Sequence, residues 1–152
     1  MSARAGPAGY TVAAAGASAL DMNRTRSRLA TPLVIFLRSD SWDARHLAVS
    51  LAVTAAALGD EVHLALFAGA LRAYADGRFG EGAPEAAGPA RVPPLDETLR
   101  EARRDLGLRV VSCDTALRLC ALDPGTAAPP LDAVMSLPSL WQLARAGRAL
   151  VV

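Results

Sequence analysis

Cys113 is the residue of this chain whose position most favours chemistry. It ends an apolar segment, residues 108–112, that is typical of a buried strand, and it precedes a short amphipathic stretch beginning at Asp114. Ligands of parallel α/β sheets bind at the carboxyl ends of strands, and free N–H groups at a helix start stabilise a thiolate. The position therefore predicts a reactive thiol. The alternative is a small apolar residue of the core, which is the commoner role of a free cysteine.

Charged residues near Cys113 act on a thiolate in opposite directions. The adjacent carboxylate of Asp114 opposes it, whereas a nearby guanidinium favours it. Arg38, at the end of another predicted strand, is the first candidate for that cation, and Arg118 is the local one. The sequence leaves the balance open.

Cys120 is the second cysteine of the chain. It follows the apolar spacing of the short helix predicted after Cys113, so we expect it to pack in the core and Cys113 to be the more exposed thiol. A separation of seven residues along a helix puts the two Cα atoms about 10 Å apart, beyond the roughly 7 Å that a disulfide spans. Two unpaired thiols fit a reducing, cytoplasmic compartment.

The two histidines do not point to a Cys–His hydrolase or to a zinc site. His46 lies in the first turn of a predicted helix and His63 lies inside a predicted strand. A hydrolase needs a base beside its nucleophile, and zinc sites usually contain closely spaced Cys or His pairs, which this chain lacks. We therefore expect no metal and no cofactor.

The turn after the first predicted strand is the second candidate region. Ser39, Asp40 and Trp42 lie between that strand and a helix, where flavodoxin-like proteins hold a phosphate. The aspartates there oppose an anion, which argues against a flavin. We expect these three residues and Asp114 to form a binding site at the same edge of the sheet as Cys113.

Composition excludes several classes of partner. The chain has 152 residues, 52% of them hydrophobic, and a net charge of +1, which indicates a soluble globular protein without a footprint for nucleic acid or a membrane. All sixteen basic residues are arginine, which excludes lysine Schiff-base and P-loop chemistry.

Strand and helix signals alternate along the chain. Short continuous apolar segments predict buried strands, and apolar residues three and four positions apart predict helices. The predicted strands are residues 33–38, 61–67, 108–112, 132–135 and 149–152, and the main predicted helices are residues 44–58, 95–106 and 138–146. This alternation predicts a three-layer α/β/α fold with a mostly parallel five-stranded sheet.

Two regions stand outside that pattern. Residues 1–30 lack the leucine-rich centre of a signal peptide, and we expect a disordered extension before one domain over residues 32–152, with Met22 as an alternative start. Residues 76–94 are rich in glycine and proline, which predicts a lid or a floppy insertion.

Residues 32–152 resemble the DsrE/DsrF-like family of sulfur-relay proteins. The resemblance rests on the first strand with its Ser39-Asp40 turn, on residues 108–113 and on residues 131–141. It implies a three-layer α/β fold, assembly into small homo- or hetero-oligomers, and a persulfide carried on Cys113. The expected partners are then a second copy of the chain and a sulfur donor or acceptor protein.

Two functions remain open at this point. One is a sulfur carrier or sulfurtransferase in which Cys113 attacks a donor persulfide. The other is a noncatalytic oligomeric module that binds a small ligand, with Cys113 lining its pocket. Exposed apolar surface from Trp42, Trp141 and the helix over residues 44–58 predicts self-association in either case.

Overall fold

The computed structural model describes residues 30–123 and 131–152. The predicted extension lies outside the described residues up to position 29, and so does the proline-rich stretch over residues 124–130. The strands are β1 (Pro32–Leu37), β2 (Glu61–Leu66), β3 (Arg109–Cys113), β4 (Ala133–Met135) and β5 (Arg148–Val151). The helices are α1 (Trp42–Ala57), α2 (Ala68–Ala75), α3 (Leu95–Leu106), α4 (Asp114–Leu119) and α5 (Leu137–Ala146), with a 3₁₀ turn at Glu85–Ala87.

The five strands form one sheet in the order β4-β3-β2-β1-β5, and every neighbouring pair is parallel. Crossovers between parallel strands are right-handed, so the helices α1, α2 and α3, whose connections step in one direction, lie on one face. The connection through α5 steps back past β1 and lies on the other face. The prediction of a three-layer α/β fold with a parallel five-stranded sheet is confirmed.

Local signals explain where the main helices begin and end. Ser41 caps α1, its Oγ accepting the Ala44 N–H at 3.3 Å, as Ser136 caps α5. Helix α3 buries only its Leu95, Leu99 and Ala102 face. Gly147 ends α5 so close to the Pro32 carbonyl that any Cβ there would collide with it. This contact fixes the turn by which the chain enters β5.

Helix α2 is the element that the sequence pattern did not predict. It begins directly after β2, at Ala68, whose φ of 46° is in the left-handed region. Four of its eight residues, Ala70, Leu71, Ala73 and Tyr74, are buried. These residues recur at helical spacing, but the segment is too short to form a helix without tertiary packing.

The insertion over residues 76–94 is anchored, which corrects the expectation of a floppy segment. Arg45 of α1 is only 5% exposed and donates hydrogen bonds to the carbonyl oxygens of Arg78 (2.9 Å), Phe79 and Glu81 (2.8 Å). The ring of Phe79 is buried, and Arg45 lies over it at 5.6 Å from the ring centroid. The Arg45 guanidinium therefore fixes residues 78–81, a turn whose glycine content alone would predict mobility.

Candidate functional site

Cys113 lies where β3 ends and α4 begins. It is the N-cap of α4, and its Sγ accepts a hydrogen bond from the Ala116 N–H at 3.2 Å. The residue is 4% exposed and belongs to the hydrophobic core. The Sγ thus has a backbone hydrogen-bond donor and lies among apolar side chains.

The order of exposure of the two thiols is the reverse of the prediction. Cys113 is buried, whereas Cys120 is partly exposed and its Sγ lies 3.6 Å from the Ala68 carbonyl oxygen. Helix α4 ends at Leu119, so Cys120 is only its C-cap and does not continue the buried face that contains Leu117. Cys113 is covered because its side chain turns back under the first turn of α4.

The carboxylate beside Cys113 has a charged partner within α4. Asp114 contacts Arg118 one turn later, with 3.6 Å between the carboxylate oxygen and the guanidinium nitrogen. Arg38 follows β1, and because β2 lies between β1 and β3, the ends of β1 and β3 are about 10 Å apart. Arg118 therefore accompanies Asp114, and Arg38 lies on the far side of the β2 end.

Three of the predicted binding residues, Ser39, Asp40 and Trp42, lie at the carboxyl edge of the sheet, where their side chains make contacts within the protein. The Ser39 Oγ accepts the Ser41 N–H at 3.2 Å, and the Asp40 side chain packs so closely on Gly69 that a Cβ there would approach it to 3.0 Å. The Trp42 ring stacks on His46 at 4.7 Å. The start of α2 separates this turn from Cys113.

His63 does not serve as a base for Cys113 in this arrangement. His63 is paired in register with Arg109, four residues before Cys113 on β3, which corresponds to about 13 Å along the strand. Its side chain is 2% exposed, its Nε2 lies 3.7 Å from a Glu61 carboxylate oxygen, and its Nδ1 has no hydrogen-bond partner among the described residues. Burial lowers the pKa of His63, and Glu61 only partly opposes that shift.

A second polar network, which the sequence did not reveal, ties the helices to the amino end of the sheet. Arg103 of α3 donates to the Tyr74 hydroxyl at 2.9 Å and to Asp132 at 2.7 Å, and the other oxygen of Asp132 accepts the Val110 N–H at 2.7 Å. Burial raises the pKa of Tyr74. The network positions β3 and β4, but it is remote from Cys113 because Val110 is at the opposite end of β3.

The described residues contain no cluster of metal ligands and no membrane-spanning helix. Within residues 30–123 and 131–152, no group of three or more His, Cys, Asp or Glu side chains could hold a metal ion. None of the described helices has the length and apolar character needed to cross a membrane.

The fold and the site define an α/β protein with a buried, hydrogen-bonded thiol at the carboxyl edge of a parallel sheet. No protein-family model matches the chain, and no curated protein matches it. Among solved structures, it is similar to the crystal structure of the YchN protein from E. coli, with 17% identity and a TM-score of 0.49 over 80% of this chain and 99% of that one. Similarity at this level assigns no activity, and the relation to the DsrE/DsrF-like family stays a prediction.

Proposed function

We propose that this protein is a sulfur carrier of the DsrE-like type, which holds a persulfide on Cys113 and passes it to a partner thiol. The observation that supports this role is the hydrogen bond from the Ala116 N–H to Sγ at the carboxyl end of β3. The thiolate is the nucleophile in exchange reactions of sulfur, and this hydrogen bond fixes the position of Sγ at the edge of the sheet where ligands of parallel α/β proteins bind.

The proposed transfer balances without an external oxidant or reductant. The Cys113 thiolate attacks the outer sulfur of a donor persulfide, the S–S bond of the donor breaks, and the donor leaves as a thiolate. The persulfide on Cys113 then loses its outer sulfur to an acceptor thiolate in the same way, which regenerates the Cys113 thiolate. The step needs no metal, and it needs no histidine base once the thiolate has formed.

Access to the thiol requires a local movement, because Cys113 is 4% exposed. The element in contact with Sγ is α4, a helix of six residues that buries Ala116 and Leu117 and exposes Leu119. A helix this short opens at a lower free-energy cost than the whole domain, because few buried contacts are lost. Opening of α4 therefore admits a small donor to Sγ in this proposal, and docking of a donor or acceptor protein against α4 favours the same open state.

The second candidate is a noncatalytic oligomeric module that binds a small ligand, with Cys113 lining the pocket. The observation that favours it is the burial of Cys113 among apolar side chains, since buried cysteines in such surroundings are usually inert. Under this alternative the Cys113 Sγ simply caps α4 by accepting the Ala116 N–H.

Intact-mass measurement after incubation with a low-molecular-weight persulfide donor separates the two functions. The carrier adds about 32 Da to the wild-type chain and to Cys120→Ser, but not to Cys113→Ser. Circular dichroism of each variant checks that its fold is retained. No sulfur adduct on folded wild-type protein would favour the binding module.

A further inference from the structure

Strand β5 is an outer edge of the sheet that no described element covers. Its four residues are all exposed, and β1 is the one described strand with which it pairs. Val151 is 76% exposed, and Leu150 is also exposed. Natural proteins usually protect such edges, because unpaired N–H and C=O groups are a template for another strand.

The hydrogen bonds to β1 show which backbone groups of β5 point outward. The Val152 N–H donates to Phe36, and the Val152 carbonyl accepts from the Arg38 N–H, so residue 152 directs both groups toward β1. Backbone direction alternates along a strand, so Leu150 also faces β1, while Ala149 and Val151 direct their N–H and C=O groups away from the sheet.

These outward groups are self-complementary about a twofold axis at Leu150. In an antiparallel arrangement centred there, Ala149 is opposite Val151 of the second copy, and both residues have free N–H and C=O groups. Each such pair exchanges two hydrogen bonds, so the twofold generates four. Leu150 then lies opposite Leu150 of the second copy, in a non-hydrogen-bonded pair.

Charge and apolar surface favour this arrangement over a parallel one. Arg148 is paired with Asp60 at 2.5 Å, and the antiparallel register separates the two copies of Arg148 by about 13 Å, whereas parallel pairing in register would place them side by side. Helix α5 leads directly into β5, and its Leu137 and Trp141, the latter 59% exposed, are one turn apart. A twofold axis normal to the sheet brings both copies of α5 to the same face.

We propose that two copies of this chain form a dimer by antiparallel pairing of β5, which continues the sheet from five strands to ten. Four-residue strands alone bury far less than the roughly 800 Å² per partner of a stable interface. The exposed side chains of α5 supply the remaining contact area. The thiols at Cys113 and Cys120 take no part in this interface, so its test is independent of sulfur transfer.

Substitution of Val151 by proline tests the backbone pairing. Proline at this position removes an outward N–H and leaves the bonds to β1, which are made by the flanking residues. Light scattering at high micromolar concentration should give twice the 15.8 kDa chain mass for the wild type and for Val151→Thr, which keeps the N–H, and the single-chain mass for Val151→Pro. A monomeric wild type, or a dimer that survives in folded Val151→Pro, would overturn the proposal.

A cysteine pair tests the register. Non-hydrogen-bonded antiparallel pairs have Cα atoms about 4.5 Å apart, which a disulfide can bridge. Mild oxidation should therefore link Leu150→Cys to itself between copies, with the bridge located by peptide mass, and should leave Ala149→Cys unlinked. Linkage of Ala149→Cys in preference to Leu150→Cys, or of neither variant, contradicts this register.

Discussion

Arg45, near the carboxyl edge of the sheet, and His63, toward its amino end, are both almost completely buried, but their hydrogen bonding differs. Arg45 donates to four backbone carbonyl oxygens, those of Ser41, Arg78, Phe79 and Glu81. His63 leaves its Nδ1 without a partner among the described residues. A buried polar group that is satisfied organises its surroundings, whereas one that is unsatisfied makes the fold sensitive to protonation. The two buried groups therefore differ in what they contribute, and the carboxyl edge, where Arg45 is satisfied, is also the one that contains Cys113.

The largest expected effect comes from removing the anchor at the carboxyl edge. Arg45→Met leaves buried carbonyl groups without donors and frees residues 78–81, so we expect the free energy of unfolding in urea to fall by about 3 kcal/mol. The matched control is Arg78→Met, which changes an exposed side chain and should have a much smaller effect. Equal effects of the two substitutions would show that the hydrogen bonds of Arg45 do not hold the insertion.

The amino end should respond to pH. Because the folded-state pKa of His63 is lowered, the unfolded chain binds more protons below the unfolded value of about 6.5, and stability falls as the pH drops below it. One such group gives a slope of at most about 1.4 kcal/mol per pH unit. His63→Leu should flatten the urea-midpoint profile between pH 7 and pH 5, relative to the wild type.

His46→Gln is the control for that pH profile. His46 stacks on Trp42 at the surface of α1 and is not buried, so its loss should leave the slope in place. If the profile is unchanged in His63→Leu but flattened in His46→Gln, the pH dependence of stability comes from His46 and the account of His63 is wrong.

The elements that the sequence predicted are those whose signal is local. Continuous apolar segments located the five strands, and caps with apolar spacing located α1, α3 and α5. The anchoring role of Arg45 depends on carbonyl groups 33 to 36 residues away, and no spacing rule connects them. Helix α2 was missed for a related reason, because its stability comes from packing.

The candidate site shows the same division. The position of Cys113 at the junction of β3 and α4 was predicted, because a strand signal and a helix signal meet there. The prediction that Cys113 is more exposed than Cys120 was wrong, because the exposure of Cys120 depends on α4 ending at Leu119. Of the predicted binding residues, Asp114 is adjacent to Cys113, whereas the order of the strands places Ser39, Asp40 and Trp42 on the far side of β2.

The smallest expected effect is a difference in alkylation rate between the two thiols at the ends of α4. Iodoacetamide at neutral pH should label Cys120 at least about tenfold faster than Cys113, because Cys113 reacts only when α4 opens. Urea at a concentration that unfolds the chain should abolish the difference. Faster labelling of Cys113 in the folded protein would show that this thiol is open to solvent without any movement of α4.

Peptide mapping of wild-type protein treated with a limiting amount of persulfide donor tests the central claim most directly, because both thiols then compete in one molecule. Cleavage after Arg109 and Arg118 puts Cys113 and Cys120 in different peptides. Alkylation is irreversible and reports access, whereas persulfide exchange is reversible, so at equilibrium about 32 Da of added sulfur should be found on the Cys113 peptide, even though Cys120 is the more exposed thiol. Sulfur on the Cys120 peptide alone, or on both peptides in proportion to their alkylation rates, would contradict the assignment of Cys113 as the sulfur-carrying residue.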